Sequence, residues 1–345
     1  MGEQTRGLPA AAAVTVLLLG VTACVPAGGQ TQQPTPSPTP STVTREVAAV
    51  PVGEGPVGLA LDDRGRLWSV ASGDGTVARV DPASEEVALR VRVGERPLRA
   101  AWWAGGLWVT VAGDKALVRV DGRTGAVTDR VPVGGAPDGI VAAFGSLWAV
   151  LPAEGLLVRV DPDPALPLVR EVLDVGRGSH RVTAGGAALW VSDYTSGTVV
   201  RVEPATGLMS DPIRVCLQPQ GMLARDGLLW VACTGSGEVV ALDERAGSVE
   251  RHNAPVRTVA VDGIPESLAP ATDGSLWVSL RDGPALALLD PRDDTIRSRW
   301  PVGSLGPRRD RGATAGEVVL AGPRVWLSAY VQGTVAGVDV TPQGR

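Results

Sequence analysis

From residue 45 onward the chain alternates apolar and polar positions in short runs, and Gly, Asp or Pro break each run after a few residues. Period-two alternation between such turns is the pattern of antiparallel strands. No segment sustains the 3.6-residue period of an amphipathic helix, so the pattern predicts an all-β chain almost without helix. The alternation also repeats on a longer scale. A Leu-Trp or Val-Trp pair recurs at Trp68, Trp108, Trp148, Trp190, Trp230, Trp277 and Trp326, at spacings of 40, 40, 42, 40, 47 and 49 residues. A turn such as Asp63-Arg64-Gly65 or Asp226-Gly227 precedes each pair. After it comes a strand ending in an acid, as at Asp81, Asp121 or Asp243, and then a strand ending in Val-Gly, as at Val93-Gly94 or Val133-Gly134.

Four strands in about 40 residues make one propeller blade, and stacked blades bury each other's faces. Seven repeats predict a seven-bladed β-propeller over residues 45–340, with 341–345 as a tail. The last repeat stops after its third strand, and residues 45–52 form one unassigned strand ending in Val-Gly. The N-terminal strand is therefore expected to complete the last blade, pairing with residues 334–339 and removing a raw sheet edge. The repeated Trp fills the gap between twisted sheets. The acid after each third strand caps a turn; one acid per blade, spread around a ring, does not converge on calcium.

The first residues read differently. Residues 1–23 have a short n-region with Arg6, an apolar stretch over residues 10–19, and small residues up to Cys24, the features of a signal peptide. Val21-Thr22-Ala23-Cys24 resembles the bacterial lipobox, which implies cleavage before Cys24 and lipidation of its thiol. Residues 24–44 alternate Pro34, Pro36, Pro38 and Pro40 with small hydroxyl residues. Such a linker favours extended geometry and reaches roughly 60 Å. The expected location is the cell membrane, lipid-anchored on the extracytoplasmic side. That compartment is oxidising. With Cys24 modified, Cys216 and Cys233 remain to pair, and both fall on the same face of the disc.

Composition narrows the chemistry. The net charge is −5 with a pI near 5.2, and no basic patch or like-charge run is present, which argues against a nucleic-acid partner. Three cysteines and two histidines leave no multi-Cys zinc site or His-rich metal site. No metal or other cofactor is expected, and the chain is read as a monomer.

Blocks such as Gly197-Thr198-Val199-Val200-Arg201-Val202-Glu203 and Val133-Gly134-Gly135-Ala136-Pro137-Asp138 resemble the YVTN/NHL-type bacterial propellers. The Leu-Trp-Val pairs are similar to streptogramin (virginiamycin B) lyases. That resemblance implies the propeller fold and, for the lyases, lactone opening by elimination with a catalytic histidine, acidic neighbours and magnesium. Their signature is a closely spaced His pair near a Glu. Here His180 and His252 stand far apart, and only Glu250 beside His252 echoes the pattern.

One pair of columns varies where structural positions repeat. At the start of each first strand stand Val57, Leu98, Asp138, His180, Gln220, Glu266 and Gly316, each followed by Gly58, Arg99, Gly139, Arg181, Gly221, Ser267 or Glu317. Polar groups converging at a funnel suit a ligand site. Arg99, Asp138, His180, Arg181, Gln220 and Glu266 are the candidate ligand-facing set, a mixed-charge mouth for a small polar ligand or a protein partner. Which column faces the channel stays open. His180 is the acid–base candidate if chemistry occurs. Residues 303–315, with Arg308, Arg309 and Arg311, form an extra arm on that face. The leading expectation is a non-catalytic binding module. The alternatives are a streptogramin-lyase-like enzyme or hydrolase acting in the funnel, and a structural envelope protein.

Replacing Cys24 by Ala is expected to release the protein from the membrane fraction and to abolish palmitate labelling. Fractionation with metabolic labelling checks this, and unchanged labelling would refute the lipobox reading.

Overall fold

A computed structural model describes residues 47–161, 168–247, 254–281, 285–302 and 316–340. They belong to one compact unit, and every regular element among them is a strand. Seven four-stranded antiparallel sheets form. Their first strands are Pro56–Leu61, Pro97–Trp103, Ile140–Ala143, Ser179–Gly185, Pro219–Arg225, Pro265–Pro270 and Val318–Ala321. Each touches the first strand of the next blade, and the contact between the first strands of blades seven and one closes the ring. The first strands therefore surround the axis, and the fourth strands lie at the rim.

The repeated Trp occupies the second strand of every blade and is buried. Trp68, for instance, sits opposite Ala60 of the first strand and Arg79 of the third. The first-strand partner is Ala, Val or Thr in six of the seven blades, which leaves room for the indole, and Leu223 opposite Trp230. The Arg79 guanidinium lies 5.6 Å from the Trp68 ring centre, and Arg159 lies 5.3 Å from that of Trp148, close enough for cation–π attraction. Apolar clusters fill each seam; Leu67, Ala78 and Val80 of blade one pack with Trp326 and Val335 of blade seven. The acids after the third strands cap turns as expected. Asp81 Oδ1 accepts the Ala83 amide at 2.8 Å, and Asp121 Oδ1 accepts that of Thr124 at 2.7 Å.

The ring closes with the N-terminal strand. Val47–Pro51 pairs antiparallel with Thr334–Asp339, from Val47 opposite Val338 to Pro51 opposite Thr334. The Val52 amide donates to Gly333 O at 2.9 Å. Ala48, Val50 and Val52 are buried in the seam. The strand starts on the face opposite the funnel and ends on the funnel face. Residues 45 and 46, also assigned to this strand from the sequence, lie outside the described residues. So do Cys24, the linker, His252 and the 303–315 arm.

Cys216 and Cys233 form a disulfide with Cα atoms 5.9 Å apart. It joins the segment after the fourth strand of blade four, Ile213–Arg214, to the end of Leu228–Cys233, the second strand of blade five. That fourth strand has two residues, where those of blades one and two have seven and six. The bond thus ties neighbouring blades where the outer ladder of blade four is short.

Deleting residues 45–52 is expected to cost about 3–6 kcal/mol from Val50 and Val52 burial alone, lowering Tm by roughly 10 °C. Deleting 25–40 leaves Tm near that of the full chain. Calorimetry on both deletions checks the closure, and equal effects would refute its stabilising role.

Candidate functional site

Seven strands converging on one axis leave little space there, and the second column shows how it is shared. Glycine stands in blades one, three and five, at Gly58, Gly139 and Gly221. A Cβ on Gly58 would lie 2.5 Å from Leu98 O, one on Gly139 2.8 Å from His180 O, and one on Gly221 2.7 Å from Glu266 O. These glycines let the next blade's backbone approach. The blades between them carry Arg99, Arg181 and Ser267, and blade seven carries Glu317. Register shifts interrupt the ladder at this level in blades one, two, four, five and six, as between Pro97 and Ala100 and between Ser179 and Arg181. Such bulges re-aim side chains beside functional sites.

The second column faces the axis. Arg99, Arg181, Ser267 and Glu317 line an axial cavity of about 190 Å³ together with residues of the neighbouring first strands. Glu317 is its hub. Its Oε1 lies 2.9 Å from Arg99 Nε and 3.2 Å from Arg181 Nη1, and its Oε2 accepts the Leu59 amide at 2.6 Å. Arg99 also donates from Nη1 to Val57 O at 2.8 Å. The Arg99 N–H at Nε is not aligned on an acceptor, and Arg181 Nε has none.

The first column supplies the rim of the network. Asp138 is buried, and its backbone amide donates to Val150 O at 2.9 Å. Its Oδ2 accepts His180 Nδ1–H at 3.0 Å, while its Oδ1 faces Arg99 Nε at 3.9 Å. Tyr194 meets the imidazole edge-on, with ring centres 6.0 Å apart. His180 opens onto a second cavity of about 340 Å³ between blades two, three and four, walled by Leu98, Ala112, Pro152 and Ala153, with Arg96 at its edge.

Four of the six candidates from the sequence, His180, Asp138, Arg99 and Arg181, are thus brought into one chain of contacts. Glu266 is buried and pairs with Arg281, which follows the second strand of blade six. Gln220 is buried with no partner for its Oε1. Glu317 and Arg281 lay outside the candidate set. Glu317 had a signal, its place in the second column; Arg281 had none, because it belongs to no varying column.

Burial pushes the Glu317 carboxyl above the usual range, against the opposing pull of Arg99. Burial acts the same way on Asp138, but the His180 hydrogen bond and the charge of Arg99 outweigh it and hold that carboxyl below its usual value. The magnesium that the resemblance implies finds no donor set here. Among the described residues no three His, Cys, Asp or Glu side chains converge on a point. Glu317, Asp138 and Glu266 each already face a basic side chain.

No protein-family model matches the chain. A virginiamycin B lyase of Nocardia farcinica is 32% identical over 129 residues, which are 36% of this chain. The match spans 42% of that lyase's length. A solved streptogramin B lyase has a TM-score of 0.69 at 14% identity, covering 86% of this chain and 98% of that one. A catalytically inactive histidine-to-alanine variant of the Staphylococcus aureus virginiamycin B lyase with quinupristin gives 0.69 at 13%, covering 86% and 99%. Hydrazine synthase of Kuenenia stuttgartiensis gives 0.70 at 15%, covering 88% and 99%. This chain is a streptogramin lyase-like propeller in fold. A chain of hydrazine synthase has the same fold as the lyases, so the fold carries no activity by itself.

The two carboxyls predict opposite pH dependences. Ionisation of Asp138 is easier in the folded state, so its contribution is full above the unfolded value near pH 3.9 and is lost as pH falls through the folded value. The Asp138→Asn variant should cost on the order of 3 kcal/mol at neutral pH and converge on wild type in acid. Ionisation of Glu317 is harder in the folded state, so its contribution is full below about pH 4.3 and is lost as pH rises. The stability gap between wild type and Glu317→Gln should therefore narrow with rising pH. Denaturant unfolding across pH checks both signs.

Proposed function

We propose that this protein is a ligand-binding propeller, held at the extracytoplasmic membrane face by lipid on Cys24, with its binding site in the funnel mouth. The observation that carries the reading is the cavity between blades two, three and four, bordered by the Asp138–His180 pair. Beneath it the Arg99–Glu317–Arg181 cluster lines the axis with charges that face one another. A ligand is therefore received at the mouth, above a floor of buried ion pairs. A ligand-observed NMR screen of neutral, cationic and anionic fragments tests the reading. Replacing Ala153 by Trp, which obstructs the cavity without changing charge, should abolish binding of the hits at unchanged Tm. Hits that survive this substitution would place binding elsewhere and overturn the proposal.

A second reading is lyase activity, favoured by the 32% identity to the Nocardia lyase. The binding reading is preferred because, among the described residues, His180 pairs with an aspartate and not with a second histidine, and the carboxylates at the axis are taken by arginines. Quinupristin incubated with the purified protein and magnesium is expected to stay intact. Liquid chromatography with mass spectrometry decides: elimination gives a new peak of unchanged mass, hydrolysis a peak heavier by one water, and either would favour an enzyme.

A further inference from the structure

The ions of the mouth cancel unevenly. Asp138 is shared between His180 and Arg99, Glu317 between Arg99 and Arg181, and Glu266 is taken by Arg281. Arg96 differs. It is exposed and lines the mouth cavity, and among the described residues its guanidinium makes no ion-pair contact, although its charge acts through space to help hold the Asp138 carboxyl low. Glu95 and Glu154 belong to adjoining loops, but neither lines the cavity. The backbone of Arg96 is also unusual. Its φ is 51°, in the left-handed region, which a long side chain adopts at a cost of order 1 kcal/mol. The following Pro97 fixes its own φ, and the Ala112 amide holds Arg96 O at 3.1 Å. The turn therefore keeps the arginine at the cavity edge.

The wall below it has the opposite character. Leu98, Ala112, Ala136, Pro152 and Ala153 offer methyl and ring surface with no charge, and Asp138, which also lines the space, is turned to His180 and Arg99. A carbohydrate would leave its hydroxyls unmatched against this wall, at the desolvation cost of each unpaired polar group. A free cation at the edge above an apolar pocket suits an amphipathic anion. A guanidinium also matches the planar, two-oxygen geometry of a carboxylate.

We infer that the mouth cavity binds a small carboxylic acid, its apolar body against Leu98, Pro152 and Ala153 and its carboxylate on Arg96. The inference rests on the mouth being the binding site and specifies the class of ligand. The His180 ring edge borders the same space and limits how deep the apolar body goes.

Isothermal titration of the full chain with 4-phenylbutyrate, 4-phenylbutyramide and butyrate tests it. Saturable binding of 4-phenylbutyrate is expected. The amide, which lacks the charge, and butyrate, which lacks the ring, should each bind at least roughly tenfold more weakly. Arg96→Ala should weaken 4-phenylbutyrate by a similar factor at unchanged Tm, and Arg96→Lys should retain part of the affinity. Equal affinity for acid and amide, or an Arg96→Ala variant that binds as well as wild type, overturns the carboxylate and leaves the mouth as a site. Failure of 4-phenylbutyrate to bind, while screened fragments of another class are blocked by Ala153→Trp, also overturns this inference alone. Loss of every mouth ligand overturns both.

Discussion

Crowding at the axis governs the rest of the molecule. Seven first strands meet around one line, and their backbones come close enough that Gly58, Gly139 and Gly221 have no room for a methyl group. Long side chains fit only in the blades between, and blade seven breaks the alternation with Glu317. An odd number of blades cannot alternate perfectly, so two neighbouring blades must both carry glycine or both carry a side chain at this level. Here blades six and seven both carry one, Ser267 and Glu317. The carboxylate then reaches across to the arginines of blades two and four.

That geometry explains why the axis is ionic. Arginine is long enough to cross the space from either side, and a single acid between two guanidiniums satisfies several donors at once. Burying these groups costs several kcal/mol each before their attraction is counted. The arrangement holds because hydrogen bonds to Leu59 N–H and Val57 O accompany the ion pairs. Its contribution is best understood as fixing the relative positions of blades one, two, four and seven, since any slip of one blade would strand a buried charge.

The architecture was legible in the sequence because each of its devices recurs or leaves a remainder. The Trp slot recurs in every blade. The missing fourth strand of the last repeat and the spare strand at the front left one solution for closure. Cys216 and Cys233 were expected on one face, and they pair. The site was legible only as a column. Asp138 and His180 shared one column and Arg99 and Arg181 the next, but who pairs with whom depends on side-chain reach across a ring. Contacts between residues 99 and 317, or 59 and 317, leave no local trace in the chain. Glu266 and Gln220 show the limit of the column argument: the same register placed both in buried surroundings, one beside Arg281 and one without a partner for its carbonyl. Arg96 stood two residues before the columns and carried no repeat signal.

The strand that closes the ring also sets how the disc bears a load. Val47 lies on the face opposite the mouth, and the strand runs from there toward the funnel. A pull on the preceding chain along the strand's own direction loads the ladder in shear. The hydrogen bonds to residues 334–338 lie across that direction and share the force together. A sideways pull at the rim would instead peel the ladder one bond at a time. The same five-residue strand is therefore mechanically strong along its own length and weak across it, so the direction of tension decides whether the ring stays shut.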